Sequence, residues 1–360
     1  MSGKVAVVLG TRPEIVKLGL VIRALGDRAQ VLHTGQHYDV ELSQVFFDSF
    51  GLHQPVTTLG IGGMSRAQQM GNAISSLEQT LAEEPPSAIV VQGDTNTAAA
   101  AAIAANAMEI PLVHVEAGLR SFDRAMPEEH NRVIADHLSD LCLAPTETSK
   151  GNLLREGIAE DRIVITGNTV VDAVNHLLPG EDDRKAILAE HGVSPGDFVL
   201  STFHRPENVD SPQQFAAILD ALRQLERPVV FPVHPRSRAQ IDEHDLDTGG
   251  LTLTEPIGYV DFLGLLAECA LAVGDSGGVQ EEVSVVKRPM VVVRNSTERP
   301  EVMGTFCRLT TPGVGIVEAA SAFLPTNSPS FTELESIPSP YGDGQASERS
   351  VSAITGFLDG

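Results

Sequence analysis

The chain has 360 residues, of which 42% are hydrophobic and 20% are charged, and its formal net charge at pH 7 is −23. This length exceeds one ordinary hydrophobic core, so two domains are expected. The acidity argues against binding to nucleic acid or to anionic membranes, because phosphate groups would be repelled. No apolar run is long enough for a membrane span, and three scattered cysteines fit a reducing cytoplasm.

The first half of the chain alternates short apolar runs with helical stretches. The apolar runs predict strands at 4–10, 29–35, 87–93, 110–116, 140–145 and 162–167. Helices are expected at 14–25, 40–50 and 97–108. Continuous apolar strands alternating with helices are typical of a parallel sheet covered on both faces. Residues 1–172 are therefore predicted to form a Rossmann-like, doubly wound α/β domain.

The same pattern restarts in the second half. Strands are predicted at 197–204, 227–234, 250–256, 270–275 and 288–294, and helices at 212–225, 259–269 and 277–286. The polar segment 179–197 contains Pro and Gly, and the domain boundary is placed near 170–180. A second doubly wound domain is expected over 173–345, followed by a final helix at 346–360. Two such domains facing each other across a cleft would place the strand ends of both on that cleft.

Three acidic residues follow one another closely in the first half. Asp94 and Glu116 each come directly after a predicted buried strand, and Glu128 lies in the sequence AMPEEHNR. The carboxyl ends of the strands form the edge of the ligand crevice in an open α/β sheet. Partly desolvated carboxylates there are suited to proton transfer. Each acid alone could simply cap the next helix, but three in succession favour acid/base chemistry.

Two strand-to-helix turns carry signals for anion binding. In LGTRPEIVKL, a glycine turn leads into a helix with Arg12 and Lys17, whose charges could neutralise phosphate, although an ordinary βα turn would look similar. In AVGDSGGVQEEVSVV, a strand is followed by a helix that starts with unobstructed backbone N–H groups. Ser276 could be a simple N-cap, yet the motif is richer than a cap requires. The second turn is predicted to bind a diphosphate through Ser276, Gly277 and Gly278, with Glu282 accepting hydrogen bonds from a ribose.

A histidine and a nearby arginine also follow each of two predicted strands in the second half. His204 with Arg205, and His234 with Arg236, follow successive predicted strands. A single histidine is more often structural, but two such pairs suit contact with phosphate or protonation of a leaving group. With NSTERPE, which contains Arg299, they indicate a nucleotide diphosphate site. No metal-binding pattern, GxGxxG nicotinamide motif or GxSxG elbow occurs, so no metal and no cofactor are expected.

The motifs resemble those of the non-hydrolysing UDP-N-acetylglucosamine 2-epimerases of bacteria and archaea. Matching stretches run in order along nearly the whole chain: GTRPEIVKL, TGQHYD, GDTNT, HVEAGLRS, PEEHNR, APTETSKGNLLREGI, ITGNTVVDA, FHRPENVD, DSGGVQEE, RNSTERPE and SPYGDGQAS. The resemblance implies two facing Rossmann-like domains of the glycosyltransferase-B type, with the last helix crossing back to the first domain. It also implies a homodimer.

The resemblance further implies a reversible epimerisation at C2 of UDP-N-acetylglucosamine (UDP-GlcNAc), which gives UDP-N-acetylmannosamine (UDP-ManNAc). In the family, UDP is eliminated to leave 2-acetamidoglucal and is then added back. Asp94, Glu116 and Glu128 would be the acid/base groups, and His204 would assist the departing diphosphate. The remaining expected ligands of UDP are Arg12, Lys17, His234, Ser276, Gly277, Gly278, Glu282 and Arg299.

The sequence is compatible with more than one form of regulation and of activity. Bacterial members typically bind a second, regulatory substrate molecule near a TxQHxxM-like loop; this chain keeps Gln36 and His37 but has Asp39 in place of the usual longer polar residue. The alternatives to the epimerase are a hydrolysing 2-epimerase, which releases ManNAc and UDP, a glycosyltransferase of the same fold, and a nucleotide-sugar binding protein without catalysis.

Overall fold

The computed structural model describes residues 3–36, 40–52, 56–324, 326, 327 and 329–360. His37 and Asp39, named above for a regulatory site, lie outside the described residues. The chain forms two compact units, one made of Met1–Ala173 with Tyr341–Gly360 and one of Val174–Pro340. Among the described residues, no helix combines the length and apolar character needed to cross a membrane.

The first unit contains a seven-stranded parallel sheet of order β3-β2-β1-β4-β5-β6-β7. Its strands are β1 (Val5–Leu9), β2 (Ala29–His33), β3 (Val56–Thr58), β4 (Ala88–Gln92), β5 (Leu112–Val115), β6 (Leu141–Ala144) and β7 (Ile163–Ile165). Its helices are α1 (Arg12–Leu25), α2 (Val40–Ser49), α3 (Arg66–Glu83), α4 (Asn96–Ala107), α5 (Pro127–Leu138) and α6 (Glu147–Arg155). The strand order reverses between β1 and β4. In doubly wound sheets, ligands bind at the carboxyl ends of the strands at such a reversal point.

Helix α7 (Thr169–Leu177) leads from the first unit into the second. The second unit has a six-stranded parallel sheet of order β10-β9-β8-β11-β12-β13. Its strands are β8 (Val199–Thr202), β9 (Val229–Pro232), β10 (Leu251–Thr254), β11 (Leu271–Gly274), β12 (Met290–Val293) and β13 (Cys307–Thr310). Its helices are α8 (Glu181–Glu190), α9 (Pro206–Val209), α10 (Pro212–Arg223), α11 (Pro235–His244), α12 (Tyr259–Glu268), α13 (Gly277–Val286), α14 (Val314–Ser321) and α15 (Pro329–Thr332). Here the order reverses between β8 and β11.

The final helix, α16 (Ala346–Asp359), belongs to the first unit and packs against α1. The carboxylate of Asp172 accepts hydrogen bonds from the backbone N–H groups of Ala346 at 3.1 Å and Ser347 at 2.7 Å. A carboxylate at this end satisfies N–H groups that lack a partner within the helix and complements the helix dipole. The predicted fold class is confirmed: two doubly wound α/β sheets, with the last helix returning to the first unit.

The alanine run of α4 has a packing role. Residues Ala98 to Ala102, Ala104 and Ala105 are all buried, and the helix packs against α3, α5 and the strands beside it. A helix that is apolar all round is a buried helix, and alanine allows its neighbours to approach closely. Thr95 is the N-cap of this helix, and its hydroxyl oxygen accepts a hydrogen bond from the N–H of Ala98. The run thus anchors the helix that follows Asp94.

Some elements were not predicted. Strands β3 and β13 lie at the edges of their sheets and are partly exposed, so neither has the continuous apolar run of a central strand. The segment 179–197, described above as polar and punctuated by Pro and Gly, contains α8. That helix buries only Leu188 among its residues, so its apolar signal is weak.

Candidate active site

Glu116 is held in a strained conformation directly after β5. Its φ is +68°, a left-handed value that is uncommon for a residue with a side chain, and the residue is buried. Its Oε2 accepts hydrogen bonds from the ammonium group of Lys17 and from Nδ2 of Asn168 at 3.0 Å. A cation and an amide donor favour the ionised carboxylate. Strain of this kind persists where the surroundings fix it, and it is typical of active sites.

Asp94 follows β4 and is held by α5. Its Oδ2 lies 2.5 Å from a guanidinium nitrogen of Arg132, and its backbone carbonyl accepts from Nδ2 of Asn131 at 2.8 Å. Arg132 is buried and also donates to Glu129 at 2.6 Å, whereas the Asp94 side chain remains 28% exposed. Asp94 is therefore an oriented carboxylate that solvent still reaches, as a proton-transferring group requires.

Glu128 occupies the first turn of α5, after Pro127. It is partly buried, and the structure records no hydrogen bond or ion pair from its side chain to another described residue. Both carboxylate oxygens of its neighbour Glu129 already have partners. They accept hydrogen bonds from the backbone N–H groups of Ser121 and Phe122 at 2.9 and 2.8 Å and from Arg132. Of the two consecutive acids, Glu128 is the one with a carboxylate open to a ligand.

Another carboxylate, that of Glu14, lies where the strand order of the first sheet reverses. Glu14, fully buried in α1, accepts hydrogen bonds from the N–H of Gly10 at 3.0 Å, the hydroxyl of Thr11 at 2.8 Å and the hydroxyl of Thr95 at 2.8 Å. Burial raises the pKa of Glu14 to about 7, and these hydrogen bonds oppose the rise. Glu14 thus joins the turn after β1 to the turn that follows Asp94.

Of the two cations predicted near the first turn, Arg12 is exposed at the start of α1. Lys17 is buried and pairs with Glu116. No role was predicted from the sequence for Glu14, Glu129, Arg132 or Asn168. Arg132 had a usable signal, because it lies four residues after Glu128 and therefore on the same side of a helix. The contact of Asn168 with Glu116 links residues 52 positions apart and gives no local signal.

In the second unit, Asp275 organises the turn at the reversal point. This fully buried residue follows β11 and accepts from the backbone N–H groups of His204 and Arg205, from Nδ2 of Asn208 at 3.1 Å, and from Nδ1 of His204 at 3.1 Å. Burial alone would raise the pKa of Asp275, but its partners, chiefly His204, lower it below the ordinary value. Asp275 fixes the His204 ring, which stays 40% exposed and able to meet a ligand.

His234 lies beside His204, with 5.7 Å between the ring centroids. It is the N-cap of α11, and its Nδ1 accepts from the backbone N–H of Arg236 at 3.2 Å. This bond leaves the proton of a neutral ring on Nε2. The Arg236 guanidinium is bonded to Asp210 through two nitrogens at 2.7 and 2.5 Å. The two histidines are therefore brought together, while Arg236 is engaged elsewhere.

Helix α13 begins at the predicted anion-binding turn. Ser276 occupies the N-cap position, but its side chain makes no capping hydrogen bond, so the simple-cap explanation does not account for it. A Cβ atom on Gly277 would lie 2.8 Å from Nη1 of Arg299 and 2.9 Å from Oε1 of Glu298. A Cβ on Gly278 would meet only Oε1 of Glu282, at 3.8 Å. A side chain at position 277 would therefore displace the buried Arg299–Glu298 ion pair, whereas space remains at position 278.

Two further predicted ligands have protein partners. Arg299 is buried, and its guanidinium donates to Glu281 at 2.8 Å and to Glu298. Glu282 accepts from the hydroxyl of Tyr259 at 2.8 Å. Burial, together with the charge of Glu282, raises the pKa of Tyr259 well above its usual value, so this tyrosine remains a hydrogen-bond donor. Arg299 supports the first turns of α13 through its bond to Glu281, and Tyr259 orients Glu282.

Fold and geometry together define a protein with two Rossmann-like units, one carrying oriented carboxylates and the other an open helix N-terminus beside two histidines. The sequence model of a family described as UDP-N-acetylglucosamine 2-epimerase matches residues 23–355. The chain therefore belongs to the UDP-N-acetylglucosamine 2-epimerase family, and the resemblance found in the sequence is confirmed.

Individual relatives agree with the family model. The UDP-N-acetylglucosamine 2-epimerase of Methanocaldococcus jannaschii is 37% identical, over 98% of this chain and 99% of its own. Its crystal structure in complex with UDP-GlcNAc and UDP superposes with a TM-score of 0.88, at 38% identity and similar coverage of 98% and 99%. A Pseudomonas aeruginosa relative, UDP-2,3-diacetamido-2,3-dideoxy-D-glucuronate 2-epimerase, is 33% identical over 96% of this chain and 98% of its own.

Proposed function

We propose that this protein reversibly epimerises UDP-GlcNAc to UDP-ManNAc. The observation that carries the proposal is its likeness, over almost the full length of both chains, to a relative that bears this name and was crystallised with UDP-GlcNAc and UDP. The side chains support it. The C2 proton of the sugar has no adjacent carbonyl to acidify it, so its removal needs oriented carboxylates, and Asp94 and Glu116 are held as such.

The proposed reaction eliminates UDP and adds it back. A carboxylate accepts the proton from C2, the C1–O bond breaks, and its electron pair leaves with UDP, so that a C1=C2 double bond remains in 2-acetamidoglucal. C2 is then protonated on the opposite face, and a phosphate oxygen of UDP reforms the bond to C1. Asp94, Glu116 and Glu128 are the proposed acid/base groups, and the exposed face of the His204 ring would protonate or steady the departing diphosphate.

The second unit is proposed to bind UDP. The open N-terminus of α13 offers backbone N–H groups at Gly277 and Gly278 to the diphosphate, aided by the helix dipole. His234 would add a donor through Nε2, and Ser276 a hydroxyl. Glu282, which Tyr259 orients, would accept from the ribose hydroxyls. Arg12 would act as a direct phosphate ligand. The contacts of Lys17 suit it to support Glu116, and those of Arg299 suit it to support α13.

A second candidate is the same chemistry on another sugar. The Pseudomonas aeruginosa relative is named for a diacetamido-glucuronate, so epimerisation at C2 is shared within the family while the substituents of the sugar differ. Purified protein would be given each UDP-sugar in parallel. Turnover of UDP-GlcNAc alone supports the proposal. Turnover of the glucuronate alone moves the protein to the second candidate.

The decisive test is NMR of the reaction in deuterated buffer. We expect UDP-ManNAc that carries deuterium at C2, with no accumulation of free UDP. Stoichiometric ManNAc and UDP would identify a hydrolysing epimerase, and turnover that requires an added acceptor would identify a glycosyltransferase. The variants D94N and E116Q should lose about 10²–10⁴-fold in kcat, as is typical for acid/base groups, and should still bind UDP.

A homodimer is also proposed, from the family resemblance alone. Light scattering on the purified protein would give a mass twice that of one chain. A mass equal to one chain at assay concentrations, with full activity, would contradict it.

A further inference from the structure

A buried histidine connects the strands that carry two of the proposed acids. His114 lies on β5, two residues before Glu116, and its ring has no exposed surface. Its Nε2 lies 2.8 Å from the carbonyl oxygen of Gly93, and its Nδ1 lies 2.6 Å from Oδ1 of Asp136. The Gly93 carbonyl belongs to the peptide bond that leads into Asp94. One ring on β5 therefore fixes the turn at the end of β4.

The contacts of this ring determine its protonation. A carbonyl oxygen only accepts hydrogen bonds, so Nε2 must carry a proton. Asp136 accepts a hydrogen bond from the backbone N–H of Gly118 and pairs with the guanidinium of Arg120, so its oxygens act as acceptors. Nδ1 must then carry a proton too. The hydrogen-bond pattern thus makes His114 a donor through both ring nitrogens, as an imidazolium is, with the carboxylate of Asp136 on α5 as one acceptor and the Gly93 carbonyl as the other.

Asp136 holds a second turn at the same time. Its two oxygens lie 3.3 and 3.2 Å from the backbone nitrogen of Gly118, which donates to them, and Arg120 pairs with Oδ2 at 2.7 Å. Gly118 lies two residues beyond Glu116. The His114–Asp136 pair therefore binds the turn after β4 through one partner and the turn after β5 through the other.

Both turns need such support. The φ angles of Gly93, Glu116 and Gly118 are +68°, +68° and +86°. A left-handed conformation costs a residue with a side chain on the order of 1–3 kcal/mol, so Glu116 would relax unless its surroundings held it. A neutral histidine with one hydrogen bond would be enough to fill the space. A buried charged pair is costly to form and strongly destabilising to break, which makes it suited to fixing one geometry.

We propose that His114 and Asp136 are a charged positioning pair that fixes the separation and orientation of Asp94 and Glu116. Neither residue touches the substrate; they act through the two turns. The role in turnover rests on the proposed function, because it requires that both carboxylates act on one sugar. Loosening the turns would misplace the carboxylates, and a displacement of about 1 Å can cost on the order of 10²-fold in rate.

The charge is tested by NMR of protein labelled with ¹⁵N in histidine. We expect both ring nitrogens of His114 to be protonated at pH 7, and D136N to convert the ring to a neutral form protonated at Nε2 alone. The His114 signals are assigned by their loss in H114Q, or by their change in D136N if H114Q does not fold. A wild-type His114 with a single protonated nitrogen would overturn the proposal. This measurement needs no substrate.

The positioning role is tested by kinetics of H114Q and D136N. We expect kcat to fall about 10²-fold with little change in the Kd for UDP. H137Q is the matched control, because His137 adjoins Asp136 on α5 but is 45% exposed, and its ion pair among the described residues is with Glu156, at 3.4 Å. Folded H114Q and D136N with wild-type kcat would overturn the proposal even if the ring is charged. A wild-type protein that turns over no UDP-sugar would instead refute the proposed function, and NMR would still decide the charge.

Discussion

The ammonium group of Lys17 donates a hydrogen bond to the carboxylate of Glu116, and both side chains are buried. This pairing suits Lys17 to a second role, as a partner of the proposed acid, beside its predicted role as a ligand of UDP. Replacement by methionine keeps the length of the side chain and removes the charge. Glu116 then lacks the cation that favours its ionised form, so K17M should lower kcat by about 10²-fold or more.

Measurement of kcat and of UDP affinity separates the two roles of Lys17. Support of Glu116 predicts a loss in kcat with an unchanged Kd for UDP, determined by calorimetry. A direct phosphate contact would weaken UDP binding instead. K4M is the control, since Lys4 is exposed and its hydrogen bond within the described part of the chain is to the carbonyl oxygen of Asp27, at 2.7 Å.

Arg132 connects Asp94 with Glu129, and the second prediction concerns this bridge. Lysine cannot reproduce the planar fork that reaches two carboxylates, so R132K should leave one of them without its partner. Since the guanidinium is buried, we expect a stability loss of about 3 kcal/mol together with reduced kcat.

Urea unfolding and steady-state kinetics of R132K would measure these effects. R155K is the control, because Arg155 bonds within α6 to Asn152 and lies outside both carboxylate contacts. Wild-type stability in R132K would contradict the bridge.

The central strands, the two sheets and the acids at strand ends were predictable because each leaves a local signal. A buried parallel strand is a continuous apolar run, and its carboxyl end marks where Asp94 and Glu116 emerge. Helix α3 was not predicted, although Ala73, Leu77 and Leu81 recur every four residues along one face. That stripe is narrow, and the rest of the helix is polar.

The partners of the acids were not predictable by the same reasoning. The contact of Asp94 with Arg132 joins residues 38 apart, and that of Lys17 with Glu116 joins residues 99 apart. Each depends on which strands become neighbours in the sheet. The sequence marks the residues that follow strands, but only the fold decides which cation serves which carboxylate. For this reason Lys17 and Arg299 were predicted as ligands of UDP, and their bonds to nearby acids were not predicted.

Glu14 gives the protein a specific pH dependence. In the unfolded chain this carboxyl loses its proton near its ordinary pKa of 4.5, whereas burial raises the pKa of Glu14 in the folded protein to about 7. The folded state therefore holds the proton more tightly, and its contribution to stability is complete below pH 4.5 and lost as the pH rises to 7. The loss amounts to about 3 kcal/mol.

The variant E14Q isolates this effect, because glutamine keeps an acceptor oxygen but does not titrate. Urea unfolding at a series of pH values should show the wild type losing about 3 kcal/mol relative to E14Q between pH 4.5 and 7. A constant difference over that range would refute the assignment. E160Q serves as the control, since Glu160 is exposed and pairs with the partly exposed Lys150, and its difference should therefore remain small.

The two glycines at the start of α13 separate packing from ligand binding. A methyl group at Gly277 would collide with Arg299 and Glu298, so G277A should destabilise the free protein, which thermal unfolding would show as a lower Tm.

At Gly278 the nearest atom is Oε1 of Glu282, at an ordinary contact distance of 3.8 Å. Alanine also favours a helix over glycine by about 1 kcal/mol, so G278A should leave the Tm unchanged or slightly raised. If the diphosphate binds at this N-terminus, the added methyl group should still weaken UDP binding by about tenfold or more. A G278A protein with wild-type Tm and wild-type affinity for UDP would place the diphosphate elsewhere.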